Sequence, residues 1–310
     1  MISNLSGAAV EAIVGDYALQ AERGSVSGTL IRRPRIGLYR PWRASMDEGW
    51  TRWLLEQYGF QFSSVYNHDV VAGDLGDRYD VIVIGDMSAS QITAGFARGS
   101  VPPRYAGGIG NEGVRALDEF VRSGGTLVTW NSSSIFAVDA LHLPVKNATA
   151  DIPRDEFFLA GSIVAMTVDP SHPVMSGMPE RSKVFVARSP VFTVEEEFVG
   201  SVFAKYQSEG SPLLSGYLLG EEHLQGFASG LDVYHGDGHV ILLGMRPQWR
   251  GQPFGNFRIV FNAALYSDGV ANLAPANDDF WVVPEEEGEE GEANDSGSGQ
   301  RDRRMGGERR

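Results

Sequence analysis

One stretch near the middle of the chain carries the polar side chains best placed for chemistry. Gly124–Ser134 combines a short apolar run with a polar turn that contains an amide, Asn131, and three consecutive serines. In an open α/β sheet, ligands bind outside the carboxyl ends of the strands, so a strand followed by a polar turn marks a candidate site. Ser132 or Ser133 could act there as a nucleophile.

A serine nucleophile needs a base and a group that orients the base. His223 or His172 could be the base, Asp86 the orienting carboxylate, and Glu222 an acid/base partner of its histidine neighbour. However, no G-x-S-x-G elbow surrounds the serines, and serine is also a preferred N-cap for the helix predicted from Ser134. Capping is the favoured interpretation, and a hydrolase remains an alternative.

Polar residues that follow the first and last predicted core strands could bind a ligand. Two guanidinium groups at the carboxyl edge of a sheet could meet a carboxylate or a phosphate. Pairing of these arginines with acidic residues of the chain is an equal alternative. With the amide of the central turn, the ligand-binding candidates are Arg40, Trp42, Asp47, Asn131, Arg246, Gln248 and Arg250.

Two further patterns favour structural roles. Gly108–Gly113 fits G-x-G-x-x-G and precedes a helix, but it follows a Pro-Pro loop instead of a strand, so it lacks the support of a phosphate cradle. His235 and His239 flank Gly-Asp-Gly, which is typical of a hairpin turn, and this interpretation is favoured over a metal site. We therefore expect neither a metal nor another cofactor in this chain.

Alternating strand and helix patterns must position these residues. Buried strands are predicted at Arg35–Tyr39, Tyr79–Gly85, from Thr126 and at His239–Gly244, with helical patterns among them. This alternation predicts an α/β fold with a mostly parallel sheet and helices on both faces. Short strands between turns predict an antiparallel β insertion at about 150–235. The long Met87–Gly110 segment is interpreted as a functional loop or lid.

Length and composition limit the function classes. We expect a lead-in segment over 1–34, one α/β domain over 35–283, and a disordered tail over 284–310 that is first acidic and then rich in Arg and Gly. The formal net charge of -14 argues against a nucleic-acid partner. The chain contains no cysteine, no apolar run long enough to span a membrane and no secretory signal pattern. The compartment stays open.

Three segments carry a resemblance to a known family. Arg35–Trp53, Pro212–His223 and Gly244–Gln252 resemble the C-terminal region of bacterial M14-type zinc carboxypeptidase-like proteins. In those proteins a domain similar to class I glutamine amidotransferases follows the metallopeptidase domain. The resemblance covers roughly Arg35 to Tyr266 and implies a flavodoxin-like sheet. A zinc site is implied only for the peptidase domain, which is not in this chain.

The departures from that family shape the functional hypothesis. Class I amidotransferases place a nucleophilic cysteine after a central strand, and that place falls here at Asn131–Ser133. We therefore expect a non-catalytic accessory or ligand-binding domain, a pseudoenzyme whose ligand is a peptide or glycan and whose partner is a peptidase domain or subunit. A secreted or periplasmic location would follow from association with an exported peptidase. Besides the hydrolase, the alternative is a protein-interaction module that uses Phe157–Tyr206.

Overall fold

The computed structural model describes residues 5–16, 24, 32–271, 277 and 279–284. The predicted lead-in over 1–34 lies partly, and the predicted tail over 284–310 almost wholly, outside these described residues. The helices are α1 (Gly7–Asp16), α2 (Met46–Gln57), α3 (Asn67–Val71), α4 (Leu75–Arg78), α5 (Ala89–Thr93), α6 (Gly110–Arg122), α7 (Ser132–Leu141), α8 (Phe257–Ala264) and α9 (Asp268–Ala271). The strands are β1 (Ile36–Tyr39), β2 (Phe62–Val65), β3 (Val81–Ile84), β4 (Thr126–Trp130), β5 (Val145–Asn147), β6 (Phe158–Leu159), β7 (Ser162–Val168), β8 (Arg181–Val186), β9 (Phe192–Val194), β10 (Gly200–Tyr206), β11 (Leu213–Ser215), β12 (Leu218–Leu219), β13 (Ala228–His235) and β14 (Gly238–Leu243).

Five parallel strands form the centre of the molecule, in the order β2-β1-β3-β4-β14. Numbered along the chain within this group, the order is 2-1-3-4-5, which is the flavodoxin-like arrangement. Every residue of β1, β3 and β4 is buried. Continuous apolar strands of this kind need helices on both faces of the sheet. The predicted α/β, flavodoxin-like fold class is confirmed.

Helices cover each face of this sheet and create separate hydrophobic cores. On one face, Leu54 of α2 packs with Phe257 and Val260 of α8. On the other face, Leu117 of α6 and Phe136 of α7 belong to a larger cluster that also contains side chains of β3 and β4. The sheet is therefore the middle layer of three, and its carboxyl edge is left to loops.

The predicted antiparallel strands extend the central sheet. β13 pairs antiparallel with β14, β10 with β13, and β7 with β10, while β8 and β11 both pair with β7. The β13–β14 hairpin turns at Gly236 and Asp237, with His235 opposite Gly238. Gly236 has φ +65°, which a glycine adopts without strain. The hairpin interpretation of the histidine pair is confirmed.

Two helix starts fix the loops around the carboxyl edge. α2 is capped by Ser45, whose Oγ accepts a hydrogen bond from the Glu48 amide at 3.2 Å. α7 begins at Ser132, two residues before the predicted start, because the chain turns within a single residue after β4.

In the described ranges, no helix has the length and apolar character needed to cross a bilayer.

Candidate functional site

The turn between β4 and α7 occurs at one residue, Asn131. Its φ is 55° and its ψ is −123°, a conformation that non-glycine residues rarely adopt. A strained residue between a strand and a helix is the geometry of a nucleophile elbow, which presents the apex side chain at the top of the sheet. In this chain the apex carries an amide, which is not a nucleophile.

Hydrogen bonds hold the Asn131 amide at both of its ends. Its Nδ2 donates to Asp86 Oδ1 at 3.0 Å, and its Oδ1 accepts from Ser189 Oγ at 2.7 Å. Its backbone N–H donates to the Leu243 carbonyl at 2.8 Å, and the residue is 1% exposed. The side chain therefore joins the loops that follow β3 and β8 to the end of β4, which is a positioning role.

The neighbouring serines also make local bonds. Ser133 is fully buried, and its Oγ donates to the Gly85 carbonyl at 2.5 Å and accepts from the Met87 amide at 3.0 Å. Ser132 is partly exposed, and its backbone N–H donates to Asp86 Oδ1 at 2.9 Å. Across the described residues, no histidine forms a hydrogen bond with either hydroxyl. The candidate nucleophiles therefore lack a base in this arrangement.

The two histidines considered as bases lie elsewhere. His223 stands at the end of a short 3-10 turn, with its Nε2 3.7 Å from Glu222 Oε1 and its ring edge-on to Phe157. His172 is 2% exposed and its Nε2 lies 3.5 Å from Oδ2 of Asp232, a carboxylate buried in the antiparallel part of the sheet. The structure brings neither imidazole to the serines.

A charged network fills the crevice between the ends of β1, β3 and β14. Arg246 Nη2 lies 2.5 Å from Asp86 Oδ2, and its Nη1 lies 3.3 Å from Asp47 Oδ2. Gln248 Nε2 donates to Asp47 Oδ1 at 2.7 Å. The crevice lies at the β1/β3 position, where the strand order reverses and flavodoxin-like proteins bind ligands. With Asn131 as the fifth member, the sequence candidates from four separate segments meet here.

Burial sets the protonation of Asp47. The residue is 2% exposed, and the loss of hydration raises the pKa of its carboxyl to about 6. The Arg246 cation and the hydrogen bond from Gln248 oppose this rise, whereas the Asp86 carboxylate adds to it. Because the Arg246 guanidinium pairs with both Asp47 and Asp86, it connects the segments that form the crevice. The structure thus favours the internal pairing that the sequence left as an equal alternative for this arginine.

The remaining ligand candidates lie on the rim and pack on neighbouring aromatic rings. Trp42 stacks on Tyr66 with ring centroids 4.8 Å apart, and the Arg40 guanidinium lies 5.8 Å from the same Tyr66 ring. The Arg250 guanidinium lies 4.8 Å from the Trp249 ring. Within the described residues, none of these three side chains forms a hydrogen bond with the central network, although the charge of Arg250 acts on the Asp47 carboxyl.

A cavity of about 510 Å³ opens beside α7, next to the turn at Asn131. This volume lies within the range of small-molecule sites, and such sites are mainly apolar with a few polar groups. Both kinds of group are present in its lining, which consists of Ser88, Ala89, Ser132, Ile135, Phe136, Asn147, Thr149, Ala150, Ile152, Arg154, Phe157, Phe158, Leu159, Arg188, Ser189 and Pro190.

Of the residues in this lining, Ser132 was a candidate from the sequence, whereas Arg154, Arg188 and Ser189 were not predicted. Arg188 has φ 51°, in the left-handed region, and Ser189 binds the apex amide. The only available signal was the presence of two arginines within the predicted antiparallel insertion of an acidic chain. No spacing rule connects them, because their proximity depends on the path of the β5–β8 loops.

The two other sequence patterns have structural roles. His235 Nε2 lies 2.6 Å from Asp118 Oδ1, whereas His239 Nδ1 lies 2.9 Å from Asp232 Oδ1, so the imidazoles engage different carboxylates. A Cβ on Gly108 would lie 2.3 Å from the Ile92 carbonyl oxygen, so this glycine permits close backbone packing. Among the described residues, no group of three or more histidine, aspartate or glutamate side chains is arranged to hold a metal ion.

No family model and no curated protein matches this sequence. Among solved structures, the cytoplasmic protein STM3548 from Salmonella typhimurium is 14% identical, with a TM-score of 0.48 over 76% of this chain and 98% of that chain. A protein named as a GMP synthase subunit from Thermoplasma acidophilum is 10% identical, with a TM-score of 0.47 over 78% of this chain and 96% of that chain. A ThuA-like protein from Bacteroides uniformis is 12% identical, with a TM-score of 0.43 over 77% and 94% of the respective chains. At this level of likeness, none of these proteins informs the activity of the chain.

Proposed function

We propose that this chain is a non-catalytic ligand-binding domain and that the cavity beside α7 is its binding site. The observation that carries the proposal is the amide of Asn131 at the apex of the strand–helix turn, 1% exposed and hydrogen-bonded at both ends. Covalent catalysis needs a nucleophile and a base at this position. Instead, the apex residue and Ser133 connect backbone segments of the sheet edge.

The cavity supports binding because its size and lining suit a small ligand. Side chains of Phe136 and Leu159 give it an apolar wall, while Ser132 and two arginines add polar groups. It lies at the carboxyl edge of the sheet, where open α/β folds bind their ligands. The internal network of Arg246 holds this edge in one arrangement, so the site is preformed.

A hydrolysis screen tests the absence of catalysis. Purified protein is assayed with ester, amide and peptide substrates, alongside Ser132→Ala and Ser133→Ala variants. The proposal expects no turnover above background for any of the three proteins. Turnover by the unmodified chain that either alanine variant abolishes would overturn it and favour the serine hydrolase.

The partner we propose is a zinc carboxypeptidase-like domain or subunit of the M14 type. The support is the resemblance of three segments, among them Arg35–Trp53 and Gly244–Gln252, to the domain that follows such peptidases. A peptide or glycan ligand would suit that role.

Size-exclusion chromatography tests this partner. The chain and an M14-type peptidase domain are expected to elute in a common peak, and an unrelated zinc peptidase is the control. Separate elution of both peptidases argues against this partner.

A further inference from the structure

Two guanidinium groups line the cavity beside α7 without a carboxylate of their own. The guanidinium carbon of Arg154 lies 5.1 Å from the centroid of the Phe158 ring, and Arg188 is an exposed residue of the same lining. Within the described part of the chain, neither side chain forms an ion pair. The chain has 40 acidic and 26 basic residues, so internal partners for arginine are plentiful. These two arginines are available to an external anion.

The backbone holds Arg188 in an unfavourable conformation. Its φ of 51° lies in the left-handed region, which a residue with a Cβ adopts only at a cost in free energy. Its N–H donates to the Leu159 carbonyl at 3.1 Å, and Ser189 Oγ accepts from the Ala187 amide at 3.1 Å while donating to Asn131. Strain that surrounding bonds maintain is concentrated at binding and catalytic sites. Here the residue in the strained conformation is Arg188, whose side chain lines the cavity.

The rest of the lining suits an apolar body. Phe136 and Leu159 are buried, while Ile135, Phe157 and Phe158 are half-buried and form the accessible part of the wall. Aromatic and branched aliphatic side chains bind apolar ligand groups by removing their surface from water. A ligand that fits this lining carries an apolar group and a negative charge in one small molecule.

We propose that the cavity binds a small organic carboxylate, with its charge on Arg154 and Arg188 and its apolar body against Ile135 and Phe158. This inference rests on the proposed function, because it names the ligand class of the same site. Guanidinium groups bind carboxylates through paired, charge-assisted hydrogen bonds. The carboxylate can belong to a free acid or to the C-terminal residue of a peptide, since both present the same group.

Isothermal titration calorimetry with matched probes tests the ligand class. The probes are N-acetyl-L-phenylalanine, its neutral amide, and N-acetylglycine, which keeps the carboxylate but lacks the apolar body. We expect N-acetyl-L-phenylalanine to bind, and we expect the Kd of its amide and of N-acetylglycine to be at least tenfold higher. A hexapeptide that ends in phenylalanine is titrated in parallel, and tighter binding of this peptide assigns the carboxylate to a peptide C-terminus.

Charge-removing variants locate the carboxylate. Arg154→Gln and Arg188→Gln are each expected to weaken binding of N-acetyl-L-phenylalanine about tenfold. Arg115→Gln, which removes an exposed arginine of α6 outside the cavity, is the matched control and is expected to bind like the unmodified protein. Equal affinity of all three variants would overturn the inference.

A cavity-filling variant separates the ligand class from the binding site itself. In Ile135→Trp, with the fold checked by circular dichroism, binding of every probe is expected to disappear. If acid and amide bind equally and both are lost in this variant, the carboxylate inference fails but the binding domain stands. If no probe binds at up to about 10 mM, weaker than specific sites of this size, both the inference and the cavity as a binding site are overturned.

Discussion

At the residue scale, Arg246 is the side chain in the crevice that pairs with two carboxylates while largely removed from water. These carboxylates belong to Asp47 and Asp86. Burial of charges is costly, and the cost is offset only while every charge keeps its partners. The network should therefore be sensitive to removal of the single cation that its members share.

Arg246→Met tests this dependence. The variant removes the cation that pairs with both the buried Asp47 and the partly buried Asp86, so we expect the free energy of unfolding to fall by about 3 kcal/mol. Urea denaturation at neutral pH measures the change. Arg115→Met, at an exposed arginine of α6 outside the crevice, is the control and is expected to change stability by less than about 0.5 kcal/mol. A similar effect of both variants would contradict the assignment.

The raised pKa of Asp47 predicts a pH dependence of stability. Its value in the folded protein is about 6, against a usual value of 3.8. Between these values the folded state binds a proton that the unfolded state lacks, so this carboxyl contributes stability at low pH and loses it as pH rises towards 6. Relative to Asp47→Asn, the unmodified protein should lose about 2 kcal/mol from pH 4 to pH 7. Urea denaturation across this range measures it, and parallel curves for the two proteins would contradict it.

At the element scale, the β4–turn–α7 unit determines what the site can do. The sequence allowed the strand, the polar turn and the following helix to be predicted, because an apolar run, serines and a helical pattern follow one another. The strained φ of Asn131 could not be predicted, since asparagine tolerates several turn conformations and no local rule selects this one. It depends on bonds to Asp86 and Ser189 that come from distant segments.

Variants at Asn131 separate strain from hydrogen bonding. Asn131→Ala loses both amide bonds and keeps the strained φ, so we expect a destabilisation of about 2 kcal/mol. Asn131→Gly loses the same bonds but relieves the strain, and it should be about 1 kcal/mol more stable than the alanine variant. Thermal and urea unfolding of both variants provide the measurement. An alanine variant as stable as the glycine variant would indicate an unstrained turn.

At the scale of the whole molecule, one sheet joins the parallel centre to the antiparallel strands. The hairpin of β13 and β14 belongs to both parts, because β14 pairs with β4 while β13 pairs with β10. The sequence predicted the change from parallel to antiparallel character at about 150–235 but not the order in which the antiparallel strands pair. That order depends on strand pairing across long sequence distances, which local patterns do not encode.

The shared sheet predicts cooperative unfolding. Amides of β4 in the parallel centre and of β7 in the antiparallel part should exchange with solvent deuterium with the same free energy, which equals that of global unfolding. Native-state hydrogen exchange measured by mass spectrometry resolves the two segments. A lower free energy confined to β7 and β8 would mean that the antiparallel part unfolds by itself.

Only part of the candidate site could be predicted from the sequence. The members of the crevice network follow predicted strands, and the carboxyl ends of parallel strands meet at one edge, so Asp86, Asn131 and Arg246 could be selected in advance. The cavity beside α7 could not, because its two arginines come from irregular connections and meet Phe136 of α7 and Phe158 of β6 only in the folded chain. Their positions follow from tertiary packing, which has no short-range sequence signature.

Labelling with a fluorophosphonate, which modifies activated serines, tests most directly the central claim that this sheet edge binds without catalysing. Intact-protein mass spectrometry of the treated chain should show no added phosphonate, because Ser133 is buried in backbone hydrogen bonds and Ser132 has no histidine bonded to it. A trypsin-like serine hydrolase serves as the positive control. Stoichiometric labelling that maps to Ser132 and disappears in Ser132→Ala would contradict the account and establish an active nucleophile.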